Sequence, residues 1–255
     1  MRKTLLLLLM WSMPLAAQAP ESGRDIARKA LAAQFSFKTL RVAGEMTLMR
    51  GAQSSGQRSF SLELFEQEAA TAIDKARVTI TAPTALKDTQ LLSWSSDTGD
   101  DQQWLVTPRT QRVQRIADRG RQASFVSSDF SYEDILKWQL DDYEYTSVSR
   151  GSCPAGVCTI VEARSRNKYS SYTTVKVYYD DGLRVSKIDY FGSDPAKPRK
   201  TLVHSGYVLQ ARSWQPSRSE MTNHETETST RIVWSAYQMD VPLDERTMAP
   251  SGIGR

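Results

Sequence analysis

Tyr172-Thr173-Thr174-Val175-Lys176-Val177-Tyr178-Tyr179-Asp180-Asp181-Gly182-Leu183-Arg184-Val185-Ser186-Lys187-Ile188-Asp189-Tyr190-Phe191 decides how this chain folds. Two β-rich runs, 172–179 and 183–191, flank Asp181-Gly182, a dipeptide that suits a tight hairpin turn. The same period-2 pattern repeats on both sides of this hairpin. Met46 and Leu48 alternate with Glu45 and Thr47; Phe60, Leu62 and Leu64 alternate with Ser61 and Glu63. Val78 and Ile80 alternate with Arg77, Thr79 and Thr81, and residues 202–211 and 230–239 continue the series. Turn chemistry punctuates it at 51–56, 97–101, 151–156 and 193–198.

Many strands joined by hairpins, without alternation of helix and strand, predict a mainly β protein with a single large antiparallel sheet. Period-2 alternation gives that sheet one apolar and one polar face. A twisted sheet of roughly ten strands curls, which makes the apolar face concave, an incomplete barrel. One or two helices are available to plug it. The first is 22–35, where Ile26, Ala27, Ala30 and Leu31 oppose Arg24, Arg28 and Lys29. Periodicity alone does not separate a curled sheet from a sandwich. The chain shows no repeat, linker or low-complexity segment, so residues 20–255 are expected to form one domain.

The stretch from Trp104 to Trp138 contains the second expected helix. Trp104-Leu105-Val106-Thr107 is β-rich and stops at Pro108, and a short strand follows around Val113 and Ile116. Ser131 with Asp134 three residues on fits a capping box, and Phe130 with Ile135 fits a hydrophobic staple. Ser131 is therefore the expected N-cap of a short helix carrying Ile135, Leu136 and Trp138.

These residues also carry a resemblance. Pro108-Arg109, Arg112-Val113 and Arg115-Ile116, followed by Ser124-Phe125-Val126-Ser127-Ser128-Asp129-Phe130-Ser131-Tyr132-Glu133-Asp134-Ile135, resemble the signature of outer-membrane lipoprotein-sorting proteins. Those proteins are relatives of the periplasmic lipoprotein carrier of the Lol pathway. Asp74-Lys75-Ala76-Arg77-Val78, Pro83 with Thr89, Leu91 and Leu92, and Tyr237-Gln238-Met239-Asp240-Val241-Pro242-Leu243 extend the likeness from about residue 37 to 248. It implies a Lol-carrier-like incomplete barrel with helices at its mouth, and a carrier for lipoprotein acyl chains or lipid. An inner-membrane exporter or an outer-membrane acceptor is the protein partner it suggests. The alternative is a non-carrier accessory module of an envelope exporter of the resistance-nodulation-division type, its apolar face filled.

Arg2 and Lys3, an apolar run 5–11 and Ala16-Ala17-Gln18-Ala19 form the three regions of a secretory signal, expected over residues 1–19 with cleavage after Ala17 or Ala19. The expected location is the periplasm, as a soluble monomer. No other run approaches the ~18 apolar residues of a membrane span. Losing Arg2 and Lys3 lowers the formal charge from +4 to +2. The arginines between Arg109 and Arg121 are the one concentrated basic stretch, and export argues against nucleic acid as a partner. Cys153 and Cys158 bracket the turn sequence Pro154-Ala155-Gly156-Val157, which in an oxidising compartment reads as a local disulfide.

Catalytic chemistry is not expected. The two histidines are His204, inside a strand pattern, and His224, in a polar loop, and no nucleophile elbow or phosphate-cradling loop is present. Asp100-Asp101, Asp141-Asp142 and Asp180-Asp181 fall at turns, where carboxylates cap backbone more often than they act as paired acids. No cofactor and no metal site are expected, since two cysteines without nearby histidines make a poor zinc site. The residues expected to line an apolar binding face are Met46, Leu48, Phe60, Leu62, Leu64, Trp94, Trp104, Phe130, Ile135 and Trp138, each of which could equally be ordinary core.

Overall fold

The computed structural model describes residues 21–66, 73–96 and 100–253, so the expected signal segment lies outside the described residues. One helix, α1 (Gly23–Gln34), precedes six strands: β1 (Thr39–Arg50), β2 (Gln53–Phe65), β3 (Ile73–Ala82), β4 (Gln90–Ser96), β5 (Gln102–Val106) and β6 (Gln114–Ile116). Seven more follow: β7 (Tyr143–Cys153), β8 (Gly156–Ser165), β9 (Thr174–Tyr179), β10 (Val185–Phe191), β11 (Lys200–Gln210), β12 (Ser213–Asn223) and β13 (Thr228–Met239). All thirteen belong to one antiparallel sheet, in the order β6-β5-β4-β3-β2-β1-β13-β12-β11-β10-β9-β8-β7. The mainly β fold expected from alternation is the fold observed.

The chain meanders outward from β1 to β6, restarts at β7, and meanders back until β13 pairs with β1. β6 and β7 are therefore the two free edges, and the sheet does not close. It does curl. Ser93 of β4 and His204 of β11 are six strand spacings apart in that order, about 29 Å on a flat sheet. Both line one cavity of about 260 Å³. The connection between the edges, residues 117–142, has to cross the molecule, and it does so over the concave face. Asp129 reaches Thr230 on central β13, and Phe125 and Phe130 join the main core with Met46, Ile80, Val161 and Ile188.

Helix α1 covers the rest of that face. Ser22 caps it, accepting the Asp25 N–H at 3.1 Å, and Ile26, Ala27 and Ala30 point into the core. Its last carbonyls receive Ser213 Oγ and Gln215 Nε2, both from β12. The second expected helix does not form. Ser131 instead makes an isolated bridge to Ser124, and Glu133–Ile135 is a single 3₁₀ turn whose first residue is preceded by Tyr132. Only half of the capping box exists: Asp134 Oδ2 accepts the Ser131 N–H at 2.7 Å, while Ser131 Oγ donates to the same oxygen. The segment is a strap, not a helix.

The β9–β10 hairpin is present, with a longer connection than Asp181-Gly182 suggests. The Asp180 carboxylate accepts the N–H groups of Gly182 and Arg184, an Asx turn that puts the left-handed residue at Leu183 (φ 59°). The Cys153–Cys158 disulfide joins the ends of β7 and β8.

Candidate functional site

Beneath strap and helix lie two adjoining chambers, of about 260 and 230 Å³. The first is walled by strands β1–β4 and β11–β13 and roofed by the strap. Met46, Phe60, Leu62, Leu64, Phe130 and Ile135 all line it. The second lies below α1 and is walled by Tyr172, Val177, Tyr179, Ile188 and Tyr190, with Trp138 at its roof. Phe35, Asp134, Leu136, Lys137, Leu202 and His204 border both, so the strap divides one interior into a mainly apolar first chamber and a second of mixed lining. Each chamber alone falls below the ~300–1,000 Å³ typical of small-molecule sites, and the two together fall within it.

Three of the ten expected lining residues sit elsewhere. Leu48 is buried in the main core without facing either chamber. Trp94 and Trp104 lie on the opposite side of the sheet, packed edge to face at 5.0 Å with Leu92, Val106, Met248 and Ile253. The reason is parity. On β4 and β5 the inward positions include Ser93, Ser95 and Gln103 beside Leu91, while the outward Leu92, Trp94, Trp104 and Val106 are apolar because the C-terminal segment covers them. Trp94 Nε1 donates to the carbonyl of Met248 at 2.7 Å, which fixes that cover in place.

A close approach shapes the wall of the first chamber. Gly44 pairs with Phe60 on one side and Trp234 on the other, and those two rings meet edge to face at 5.5 Å. A Cβ at position 44 would stand 2.2 Å from Phe60 Cζ. Glycine at this point lets the aromatic wall lie across the backbone.

The strap is held by polar tethers that its sequence alone does not reveal. Asp134 is its hub: besides Ser131, the carboxylate accepts Tyr172 Oη at 2.9 Å and Lys200 Nζ at 3.2 Å, with its side chain 2% exposed. Glu133 accepts Ser170 Oγ at 2.9 Å and also the hydroxyl of Ser171. Burial raises the Glu133 pKa, opposed by those serine hydrogen bonds and reinforced by the charge on Asp134. Gln103 Nε2 donates to the Tyr132 carbonyl at 2.9 Å. At the far end Lys137 forms ion pairs with Glu66 and with Asp74, the latter at 2.6 Å. Burial works against the charge on Lys137, yet the two carboxylates hold its pKa above the usual lysine value.

His204 stands between the chambers. Trp234 Nε1 donates to Ser219 Oγ at 2.8 Å, and Ser219 Oγ lies 2.8 Å from His204 Nδ1. A serine that receives the indole proton can donate its own to Nδ1, which fits a neutral imidazole. Burial agrees, holding the His204 pKa down at about 4. Among the described residues no carboxylate bonds to this imidazole, so the Ser219–His204 pair lacks the orienting acid of a nucleophilic relay.

The fold as a whole has counterparts in solved structures. Residues 73–253 match a protein-family model described as uncharacterized-protein-like. A candidate outer membrane lipoprotein-sorting protein domain from Vibrio parahaemolyticus superposes with a TM-score of 0.84 at 26% identity, covering 91% of this chain and 98% of that one. A DUF1329 family protein from Desulfovibrio piger gives 0.83 at 22% identity, over 91% and 97% of the two chains. A LolA superfamily protein from Nitrosomonas europaea gives 0.70 at 13% identity, over 90% and 98%. No curated protein matches the sequence. Among the described residues no helix is long and apolar enough to cross a membrane.

Proposed function

We propose, from the premise that this chain belongs to the outer-membrane lipoprotein-sorting protein family with its LolA-type fold, that it is a periplasmic carrier which shelters acyl chains of a lipoprotein or lipid from water. The observation that supports this reading is the apolar first chamber under the strap, lined by Met46, Phe60, Leu62, Leu64, Phe130 and Ile135, which adjoins a second chamber walled in part by tyrosines. Hydrocarbon gains about 0.8 kcal/mol per buried methylene, so a chain of some fifteen such groups could gain on the order of 12 kcal/mol. Full capture would be hard to reverse. Chambers this small take up part of a chain unless the strap yields, so the cost of moving the strap offsets the gain and permits handover.

On this reading the protein binds and does no covalent chemistry. An accessory module with a filled interior accounts less well for two chambers beneath a tethered roof. The test is uptake by delipidated protein of a fluorescent fatty-acyl probe, together with mass spectrometry of lipids that co-purify from the native envelope. Saturable uptake that is lost when Phe60→Asp or Ile135→Asp is introduced supports the carrier. Folded, delipidated protein that takes up no probe and carries no lipid overturns it.

A further inference from the structure

The second chamber does not end in apolar wall. Asp101, Gln139, Asp142 and Asn167 border it and also border a third cavity of about 300 Å³, so the apolar interior runs on into a polar vestibule. The walls of the vestibule carry both signs of charge: Asp100 and Asp118 as well as Arg166 and Lys168 line it. Two donors there lack acceptors. Gln139 is 6% exposed and its Nε2 has no hydrogen-bond partner, and Arg121 is 7% exposed with Nε unpartnered. Arg121 uses Nη2 for both the Asp101 carbonyl and Asp118, the latter at 3.1 Å. A buried donor without an acceptor costs about 1–3 kcal/mol, so such groups call for a ligand oxygen or water. The acids call for the opposite. Burial, and then the neighbouring charges of Asp142 and Asp100, push the Asp101 carboxyl up to about 6 against the Ser96 hydrogen bond and Arg121. A cation beside it would relieve that repulsion.

We propose that this vestibule is a headgroup subsite for a zwitterionic phospholipid of the phosphoethanolamine type. Its phosphate oxygens meet Arg121 Nε and Gln139 Nε2, its ammonium meets Asp101 and Asp142, and its acyl chains enter the tyrosine-walled chamber. The subsite rests on the carrier reading and narrows it: the apolar chambers accept hydrocarbon of any origin, whereas the vestibule selects the head. An anionic head without an ammonium would leave the aspartates unpaired, and a plain fatty acid would leave the vestibule to water.

Native mass spectrometry of the full delipidated chain tests this, with dioleoyl phosphatidylethanolamine, dioleoyl phosphatidylglycerol and oleate as probes. The two phospholipids have identical chains, so their difference reports the head. Phosphatidylethanolamine is expected to bind about tenfold more tightly, the size of one charge-assisted hydrogen bond. Asp101→Asn with Asp142→Asn should bring the two phospholipids to parity. Asp142→Asn alone, at an exposed position, should go part of the way even if the double variant folds poorly. Equal binding of the two lipids by the wild-type chain, or a preference for phosphatidylglycerol, overturns the headgroup subsite and leaves the carrier standing if oleate binds. Failure of all three probes to bind removes the carrier reading and the subsite with it.

Discussion

A single missing side chain sets the shape of the binding wall. Gly44 has room for no Cβ because Phe60 lies over it, reaching towards Trp234 across the strand between them. Gly44→Ala should cost about 1–3 kcal/mol, the usual penalty of overpacking a rigid core, and should press the Phe60 ring into the first chamber. The rescue is specific: Phe60→Leu added to Gly44→Ala should recover much of that loss, as a double-mutant cycle followed by urea denaturation would read. Additive losses would mean that the two residues are not coupled. His204 makes a different residue-scale claim. Its imidazole, packed between the chambers with Ser219, is held down at about 4, against about 6.5 in an unfolded chain. The unfolded chain therefore takes up a proton that the folded protein refuses. This contribution to stability is complete above about 6.5 and is lost as pH falls towards 4, by on the order of 3 kcal/mol. His204→Leu should flatten the fall in denaturation midpoint between neutral pH and about 4.5. Identical slopes in the two proteins would show that the imidazole titrates freely.

The strap is the element on which the reading of the sequence was least complete. Its sequence signals, Ser131 with Asp134 and Phe130 with Ile135, are real: the first pair is hydrogen-bonded and the second pair lines one chamber. They describe a local turn, and the turn is all that forms, because Asp134 has stronger obligations than capping. Tyr172 and Lys200, far along the chain, claim its carboxylate, and neither is visible from residue spacing. Periodicity, by contrast, is a local property: alternation located the strands and the wall residues Met46, Phe60, Leu62 and Leu64, and the helical period located the amphipathic α1. It misplaced Trp94 and Trp104 because both faces of β4 and β5 are covered, so apolarity no longer marks the inside. The tethers give the strap a measurable property. Lys200→Met strips the buried carboxylate of its cation and should destabilise by roughly 3–5 kcal/mol. If the strap gates the chambers, the same change should also raise acyl-probe affinity, since the roof now yields more cheaply. Loss of stability with weaker probe binding would mark the strap as fixed wall.

At the scale of the whole molecule, the sheet of thirteen strands stops short of closure and leaves β6 and β7 as edges. A long unpaired edge invites pairing with another copy. β6 is only three residues long, which limits its exposure. β7 spans eleven residues and is the greater hazard. Three features blunt it: a register irregularity between Tyr145 and Ser147, the charged Glu144 and Arg150, and the disulfide that ties its last residue to β8. The disulfide closes a loop of a few residues and should contribute about 2 kcal/mol on the chain-entropy estimate. Its larger consequence lies in where it acts. Cys153→Ala with Cys158→Ala frees the end of the edge strand, so the variant should fold and keep its acyl-probe binding, with a modestly lower denaturation midpoint. At raised concentration it should also form larger species that the wild-type chain does not, as light scattering would show. Cys158 is fully buried, which is why alanine rather than serine is the appropriate replacement. A variant that loses the ~2 kcal/mol yet stays monomeric at every concentration would show that charge and bulge protect β7 without the staple.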